Sequence, residues 1–351
     1  MKPTKYFAAR NGYEGFKSYF KEIFPSERFD SLYLLKGGPG TGKSSMMKEI
    51  ADKLTDYGAE CDRIYCSSDP HSLDGIIAQH NGHSVAMIDA TAPHQRDTEI
   101  PGAIDEIINL GEGWDKRWLK AQKEKIIALD KEKKAAYRRA YLHLGIAGKF
   151  DELKRSERVG FKNNKMFVSK VYSLADFVDS EGSGSTEYRL SDAFSRYGEY
   201  SLDSYQKSAR RVVYIVGSRR AREEVLRLLT EYLMFRHVDL VLSPTPFDNR
   251  YFNAIYLSKY DVAFVLKRTA DAVEKIDADE MLFCSDIKFS SDDGVDATVI
   301  KESLLEAKRW FGIAADLHSR LEEIYSSSMN FERNNEICGK ILLEFKEILT
   351  L

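Results

Sequence analysis

The sequence predicts an α/β protein in which a parallel sheet with flanking helices is used twice along the chain. Two observations support this prediction. Short apolar runs that suit buried strands alternate with segments whose apolar residues recur at helical spacing, and the order of these elements repeats in the second half. With 351 residues, of which 43% are hydrophobic and 30% charged, the chain is long enough for more than one packed domain.

Residues 30–91 contain the clearest alternation of strand and helix patterns. The predicted elements are strands at residues 32–35, 64–66 and 84–88 and a helix at residues 44–54. The helix places Met46, Met47, Ile50 and Leu54 on one face, and the third strand ends at Asp89. Short apolar strands separated by helices indicate a parallel sheet that is covered on both faces.

From about residue 104 to residue 170 the pattern becomes charged and helical. Between Asp115 and Lys165 there are 16 Lys and Arg against 7 Asp and Glu, although the whole chain carries a net charge of −3. An apolar stripe within this segment predicts a helical extension packed on the sheet, with its lysines in solvent. The alternative is a basic arm that binds nucleic acid or a protein partner.

The second half of the chain repeats the pattern of the first. Residues 213–216 correspond to 32–35, residues 261–266 to 84–89, and residues 311–314 to 144–147. Three matches in the same order indicate a tandem duplication. The predicted organisation is a first half at residues 1–178, a linker region at 179–210 and a second half at 211–351, with residues 180–186 the most linker-like.

The composition also excludes several classes of protein. No uncharged apolar run approaches the ~18 residues that a membrane-spanning helix requires. The first residues have no apolar stretch of the kind found in secretory signals, and the four cysteines do not form a disulfide framework or a metal-ligand pattern. We therefore expect a cytoplasmic protein with no membrane partner.

One motif in the sequence is complete. Gly37, Gly38, Pro39, Gly40, Thr41, Gly42, Lys43 and Ser44 fit the pattern G-x-x-x-x-G-K-[ST] between a predicted strand and a predicted helix. Glycines let backbone N–H groups face phosphate oxygens, and the following helix adds the positive end of its dipole. We expect Lys43 to reach the β- and γ-phosphates and the Ser44 hydroxyl to bind Mg²⁺. The sequence thus predicts that ATP or a close relative binds with Mg²⁺ at the motif and at the next residue, Ser45.

Further candidates for the chemistry lie at the ends of the other predicted strands. Asp89 ends the third strand, where a carboxylate holds Mg²⁺ through water, and it is the predicted partner of Lys43. The next residue is Ala90, where many hydrolytic ATPases have a glutamate that polarises water. Asp69 and His94, each just past a strand, are the candidates to replace this glutamate. The alternative is that each is a turn residue or a buried hydrogen-bonded side chain.

The motif is missing from the second half. The corresponding turn reads Gly217-Ser218-Arg219-Arg220-Ala221-Arg222, and the position that matches Asp89 is Leu266. The arginines suggest a hypothesis in which one of them stabilises charge on the γ-phosphate of the first half. The alternative is a solvated basic surface at the start of a helix.

These features resemble a family of bacterial P-loop ATPases that consist of two tandem P-loop halves, each with a helical extension. The segments that carry the resemblance are residues 11–16, 35–44, 68–74, 89–94, 139–142, 315–318 and 329–331. The resemblance implies ATP binding and hydrolysis, and it names no substrate. This chain departs from the family pattern in its second half, where the phosphate loop is lost.

Three functions remain open from the sequence. The leading interpretation is a Mg²⁺-dependent ATPase that couples ATP binding or hydrolysis to an unidentified partner. A small-molecule or nucleoside kinase is the first alternative, which the alanine after Asp89 favours. A nucleic-acid-dependent ATPase that uses the basic arm is the second alternative, and a homodimer is compatible with each of them.

Overall fold

The structure, a computed structural model, describes residues 2–93, 95–156, 165–179, 182–266, 274–283 and 294–351. The chain forms two compact units, each assembled from three segments. The loop unit contains the Gly37–Ser44 motif and comprises Ser18–Ala140, Ser195–Tyr197 and Lys308–Leu351; the central unit comprises Met1–Lys17, Tyr141–Phe194 and Gly198–Ala307. The units are discontinuous, unlike the contiguous domains that the sequence predicts, because the C-terminal helix packs on the first sheet.

The described residues contain many short strands and a few long helices. The strands are β1 (Lys5–Phe7), β2 (Ala9–Gly12), β3 (Gly15–Ser18), β4 (Ser31–Lys36), β5 (Glu60–Tyr65), β6 (Leu73–His80), β7 (His83–Asp89), β8 (Asp105–Asn109), β9 (Thr186–Tyr188), β10 (Asp192–Ser195), β11 (Gly198–Ser201), β12 (Arg211–Val216), β13 (Leu240–Pro244), β14 (Phe252–Leu257), β15 (Val262–Leu266) and β16 (Lys275–Asp277). The helices are α1 (Phe20–Ile23), α2 (Lys43–Asp56), α3 (Lys116–Ala121), α4 (Lys123–Ser156), α5 (Lys165–Ser173), α6 (Ser204–Ser208), α7 (Arg219–Phe235), α8 (Ala278–Phe283), α9 (Val295–Ser326) and α10 (Phe331–Leu349). Among these described helices, none is long and apolar enough to cross a membrane.

The sheet of the loop unit is mixed, which corrects the prediction of a parallel sheet. Its strands run in the order β5-β6-β7-β4-β8, with β4 parallel to β7 and β8 but β6 antiparallel to β5 and β7. The sequence prediction missed β6. Asn81 and Gly82 join β6 to β7 in a two-residue turn in which both have positive φ, of 51° and 86°. An Asn-Gly pair with this geometry is a strong hairpin signal, and the hairpin reverses the strand direction.

The sheet of the central unit repeats this order and these directions, with β16, β12, β15, β14 and β13 in the places of β8, β4, β7, β6 and β5. It runs β16-β12-β15-β14-β13-β9, with β12 parallel to β15 and β16 and with β14 antiparallel to β13 and β15. The pairing of strands shifts the sequence correspondence of β4 with β12 by one residue: Leu35 pairs with Asp89 and Ile215 pairs with Leu266, so Leu35 matches Ile215 and not Val216. With this shift the registers of the two sheets agree. The α/β class with two sheet-and-helix halves is therefore confirmed.

Helices α2 and α10 cover the sheet of the loop unit. The four apolar residues of α2 that the sequence places on one face are all buried, and they pack in one cluster with Cys338, Ile341, Phe345 and Leu349 of α10. The ring of Phe345 meets that of Tyr33 on β4 edge-on, with 5.2 Å between the centroids. The C-terminal helix thus helps to fix the strand that leads into the glycine-rich loop.

The helical extension predicted from about residue 104 begins later than expected. Residues 105–109 form β8, because the β-branched pair Ile107-Ile108 extends the sheet beside β4. Helix α3 starts at Lys116, and the carboxylate of Asp115 caps it by accepting from the N–H groups of Arg117 and Trp118. Within the loop unit, α4 packs against α9 through a cluster that contains Leu129, Ala136, Ala314, Leu317, Leu321 and Ile324. The apolar stripe of α4 therefore has α9 as its partner.

The predicted linker region contains ordered elements. It includes β9, β10, β11 and α6. Just before β9, the hydroxyl groups of Ser183 and Ser185 donate hydrogen bonds of 2.7 and 2.8 Å to the carboxylate of Asp239, and these bonds hold the pKa of Asp239 well below its ordinary value. The serines that make the segment look like a linker thus anchor it.

Candidate functional site

The glycine-rich loop has the strand–loop–helix geometry that the motif requires. It leaves β4 after Lys36 and enters α2 at Lys43. Gly40 and Gly42 have φ values of 69° and 84°, in the left-handed region that residues with a side chain avoid. These two glycines therefore turn the backbone back on itself ahead of the first turn of α2.

Lys43 is folded back over the loop. Its ammonium donates hydrogen bonds of 2.9 Å to the carbonyl oxygens of Gly37 and Gly38, and it lies 3.6 Å from the Oδ2 atom of Asp89. The side chains of Lys43 and Asp89 are only 11% and 17% exposed. The structure thus brings together the two residues that the sequence predicts as partners.

Asp89 has a second set of contacts in its own turn. Its Oδ1 atom accepts from the backbone N–H of Thr91 at 2.9 Å and from the Thr91 hydroxyl at 2.5 Å. These bonds use one carboxylate oxygen and hold the group in place, while the other oxygen faces Lys43. Asp89 therefore stabilises its own turn through Oδ1 and pairs with Lys43 of the loop through Oδ2.

Ser44 lies in the first turn of α2 and is partly buried. Its hydroxyl oxygen accepts a 2.9 Å hydrogen bond from the N–H of Leu73, the first residue of β6. A hydroxyl has two lone pairs, so this bond leaves one lone pair and the proton for other partners. The following residue, Ser45, is exposed on the same turn.

Asp69 lies in an exposed turn after β5. Its Oδ1 atom accepts from the N–H of His71 at 3.2 Å, and its carbonyl oxygen accepts from the N–H of Ser72 at 2.9 Å. These bonds are those of a side chain that closes its own turn. His94, the other candidate of this kind, lies outside the described residues.

A carboxylate that no sequence pattern indicates faces the loop from α9. Glu322 lies on the turn of α9 that packs against Gly40, and the charge of Lys43 and the N–H of Gly40 both act on its carboxylate. Its Oε1 atom is 3.5 Å from Nε2 of His318, one turn earlier on α9. Pairing with His318 lowers the pKa of Glu322, and Lys43 and the Gly40 N–H act in the same direction. An anionic protein group thus lies beside the loop on the side of α9.

The lowered pKa of Glu322 determines how this residue makes the stability of the folded state depend on pH. A carboxylate whose pKa is lower in the folded state stabilises that state when ionised. This contribution is present above the ordinary pKa of a glutamate and is lost as the pH falls through the folded-state value. The ionised Glu322 therefore contributes to the stability of the folded state at neutral pH, chiefly through its pairing with His318.

The backbone of α9 also comes close to the loop. A Cβ atom added at Gly40 would lie 2.6 Å from the carbonyl oxygen of Glu322. Beside it, Trp114 and Tyr325 lie near Gly38, with 5.4 Å between the two ring centroids. The loop is thus tightly packed on the side of α9.

The start of α10 holds the other end of the loop. The side-chain amide of Asn334 donates a 2.8 Å hydrogen bond to the carbonyl oxygen of Thr41, and the ring of Phe331 lies against Gly42. Asn334 is buried. These contacts join residues nearly 300 positions apart, so no local pattern in the sequence indicates them.

The corresponding turn of the central unit is short and holds a carboxylate. Only Gly217 and Ser218 separate β12 from α7. The N–H and the hydroxyl of Ser218 both donate 2.6 Å hydrogen bonds to the carboxylate of Asp279 in α8. A protein carboxylate therefore takes the N–H and the hydroxyl of Ser218 at the start of α7, where helix N-termini commonly bind anions.

The arginines at the start of α7 are engaged within the central unit. Arg219 donates to Glu223 at 2.9 Å and lies 3.8 Å from Asp151, and Arg220 is buried and donates to the carbonyl oxygen of Lys154. Pairing with Glu223 raises the pKa of Arg219 well above its ordinary value. These two arginines are not the solvated surface of the simpler interpretation, and the hypothesis of an arginine that acts on the γ-phosphate stays a prediction.

Comparison with models of protein families, with curated proteins and with solved structures finds no match to this chain. The functional argument therefore depends on the loop and its surroundings. A turn with two left-handed glycines, a buried lysine, a hydroxyl at the start of a helix and a fixed carboxylate can hold a polyphosphate and a hard cation.

The packing of α9 against Gly40 predicts a specific cost of a side chain at this position. Gly40→Ala should destabilise the protein by roughly 1–2 kcal/mol for the left-handed backbone and by roughly 1–3 kcal/mol more for the overlap with Glu322. Gly82→Ala is the matched control, because Gly82 has φ of 86° but open space around its Cβ position. Urea unfolding measures both variants, and equal losses of stability would contradict the close contact.

Proposed function

We propose that this chain binds ATP or a close relative together with Mg²⁺ at Gly37–Ser44 and that it is an ATPase. The observation that carries the proposal is the largely buried side chain of Lys43, held between the loop carbonyls and Asp89 at the start of α2. A lysine with this placement costs free energy to bury unless it has anionic partners, and a polyphosphate would provide them.

Each residue of the loop has a part in this binding. The N–H groups of the loop and of the first turn of α2 would donate to phosphate oxygens, and Lys43 would turn from the carbonyl oxygens of Gly37 and Gly38 towards the β- and γ-phosphates. The free lone pair of Ser44 fits a magnesium ligand, and Asp89 would hold the ion through water. The bound Mg²⁺ would neutralise charge on the phosphates.

The residue after Asp89 favours slow hydrolysis or transfer to another acceptor. Ala90 is buried and has no group that could polarise water. Besides Asp89, Glu322 is a second carboxylate whose charge acts on the loop, and we expect a triphosphate to displace it. A small-molecule kinase is therefore the second candidate function, in which an acceptor replaces water.

We further propose that the two halves arose by duplication of one P-loop fold. The shared strand order and the matched registers of Leu35 with Asp89 and Ile215 with Leu266 support this proposal. In the central unit, Asp279 fills the position of the anion. The second half would then keep the fold without a nucleotide site.

Lys43→Ala tests the binding site. The change removes the charge that faces the β- and γ-phosphates, so ATP turnover should fall to background and Mg·ATP should bind at least tenfold more weakly. Phosphate release and titration calorimetry measure the two effects. Lys53→Ala is the control on the same helix, because Lys53 is exposed and pairs only with Glu49 among the described residues. Unchanged turnover in a folded Lys43→Ala protein would refute the assignment.

Asp89→Asn compared with Asp69→Asn tests the magnesium site. Asp89→Asn should raise the Mg²⁺ concentration needed for half-maximal turnover by about tenfold, because a neutral amide holds the hydrated ion less well. Asp69→Asn should leave this concentration unchanged, since the hydrogen bonds that Asp69 accepts close its own turn. A titration of turnover with Mg²⁺ decides between them. Equal effects of the two changes would remove Asp89 from the site.

Glu322→Gln tests whether the carboxylate of α9 competes with the triphosphate. The change removes a negative charge that acts on Lys43 and on the N–H of Gly40, which should tighten Mg·ATP binding by about fivefold, on the order of 1 kcal/mol. The control is Glu323→Gln, an exposed neighbour on the same helix. If Glu322→Gln instead lowers kcat with unchanged affinity, the carboxylate acts in the reaction and does not compete.

A further inference from the structure

A cavity of about 510 Å³ lies beside the glycine-rich loop, within the loop unit. Pro39 of the loop forms one edge, and α4 and α9 form the walls. Its volume lies within the range of roughly 300–1,000 Å³ that is typical of small-molecule sites. The loop function proposed above does not use this space.

The wall formed by α4 is strongly basic. Lys131, Lys133, Lys134 and Arg138 line the cavity, and Asp130 is the one acidic residue that lines it with them. Asp130 pairs with Lys133 at 3.3 Å and with Lys134 at 2.6 Å. Partial burial raises the pKa of Asp130, but its pairing with Lys134 and Lys133 outweighs this and holds the pKa below its ordinary value. Asp130 can balance only one of the four positive charges.

Lys131 and Arg138 are the cations that remain for a ligand. Neither forms an ion pair with a residue in the described part of the chain, and both are exposed. With Lys134 they recur at three- and four-residue spacing, which places the three side chains on one face of α4. A purely solvated face would have no opposite wall, but here α9 supplies one.

The wall formed by α9 is largely apolar. Leu321 and Tyr325 line it, and Ile126 and Ile127 of α4 add apolar surface. Tyr325 also packs against Trp114, so its ring is held in place. The cavity thus offers an apolar surface and a cluster of positive charges to one ligand, next to Pro39.

We propose that this cavity binds a small molecule that carries a phosphate or another dianionic group on an apolar or aromatic body. The cations of α4 would hold the anionic group, and the side chains of α9 would cover the body. The ligand lies next to the loop, so it is the second substrate or effector of the site. The assignment of the ligand as a second substrate or effector rests on the proposed function, whereas binding of the ligand in the cavity does not depend on it.

The compact shape favours a small molecule over a nucleic acid. Nucleic acids bind along extended basic surfaces with many phosphate contacts. This cavity presents two exposed cations without described ion pairs beside an apolar wall, which fits one anionic group and one hydrophobic body.

The test uses 1-naphthyl phosphate, which combines a dianion with an aromatic body, and 1-naphthol as its neutral counterpart. Titration calorimetry on the full chain should show binding of the phosphate and at least tenfold weaker binding of the naphthol. The double variant Lys131→Ala/Arg138→Ala should weaken binding of the phosphate by at least tenfold. Lys125→Ala, an exposed lysine of α4 that does not line the cavity, should leave it unchanged.

Two further measurements distinguish binding in the cavity from binding at the loop and from binding of a nucleic acid. Binding of the probe should persist in Lys43→Ala, and its loss there would show that the probe occupies the loop, which would overturn the cavity proposal. A 20-nucleotide single strand should bind weakly and independently of Lys131 and Arg138. If the double variant abolishes oligonucleotide binding while the probe never binds, α4 is a nucleic-acid surface and the proposal is wrong. Absence of ATP binding with intact probe binding would refute only the proposed function.

Discussion

The geometry of the candidate site depends on the close contact between Gly40 and the last turns of α9. Only a residue without a side chain can adopt this left-handed backbone at low cost and also leave room for the carbonyl oxygen of Glu322. The contact places Glu322 on the side of α9 that faces the loop, where Lys43 and the N–H of Gly40 both help to lower the pKa of its carboxyl group. The bond from Asn334 to Thr41 then fixes the far side of the loop from α10.

The two halves satisfy the start of their first long helix in different ways. In the central unit, Asp279 takes both donors of Ser218 at 2.6 Å, in a turn of only two residues. In the loop unit, the longer turn keeps Lys43 and Asp89 together, and Glu322 reaches only one part of it. In the central unit, the carboxylate of Asp279 thus stands where a bound anion would lie. In the loop unit, we propose that the triphosphate displaces the carboxylate of Glu322.

Much of the site could be predicted from the sequence because its parts are local. The motif fixes the loop, Lys43 and Ser44 within eight residues, and the apolar strand before Asp89 places that carboxylate beside the loop. Strand β6 could also have been predicted, since the Asn81-Gly82 pair marks the hairpin that makes the sheet mixed. Glu322 and Asn334 could not, because α9 and α10 reach the loop only through tertiary packing, which leaves no periodic or spacing signal.

The central claim is that the loop of the first sheet, and not its counterpart in the second, is an anion site that a triphosphate takes over from Glu322. Amide chemical shifts of Gly40, Gly42, Gly217 and Ser218 during a titration with Mg²⁺ and a non-hydrolysable ATP analogue test it most directly. We predict large saturable shifts at Gly40 and Gly42 and none at Gly217 and Ser218. Unchanged shifts at Gly40, or equal shifts at both turns, would contradict the account.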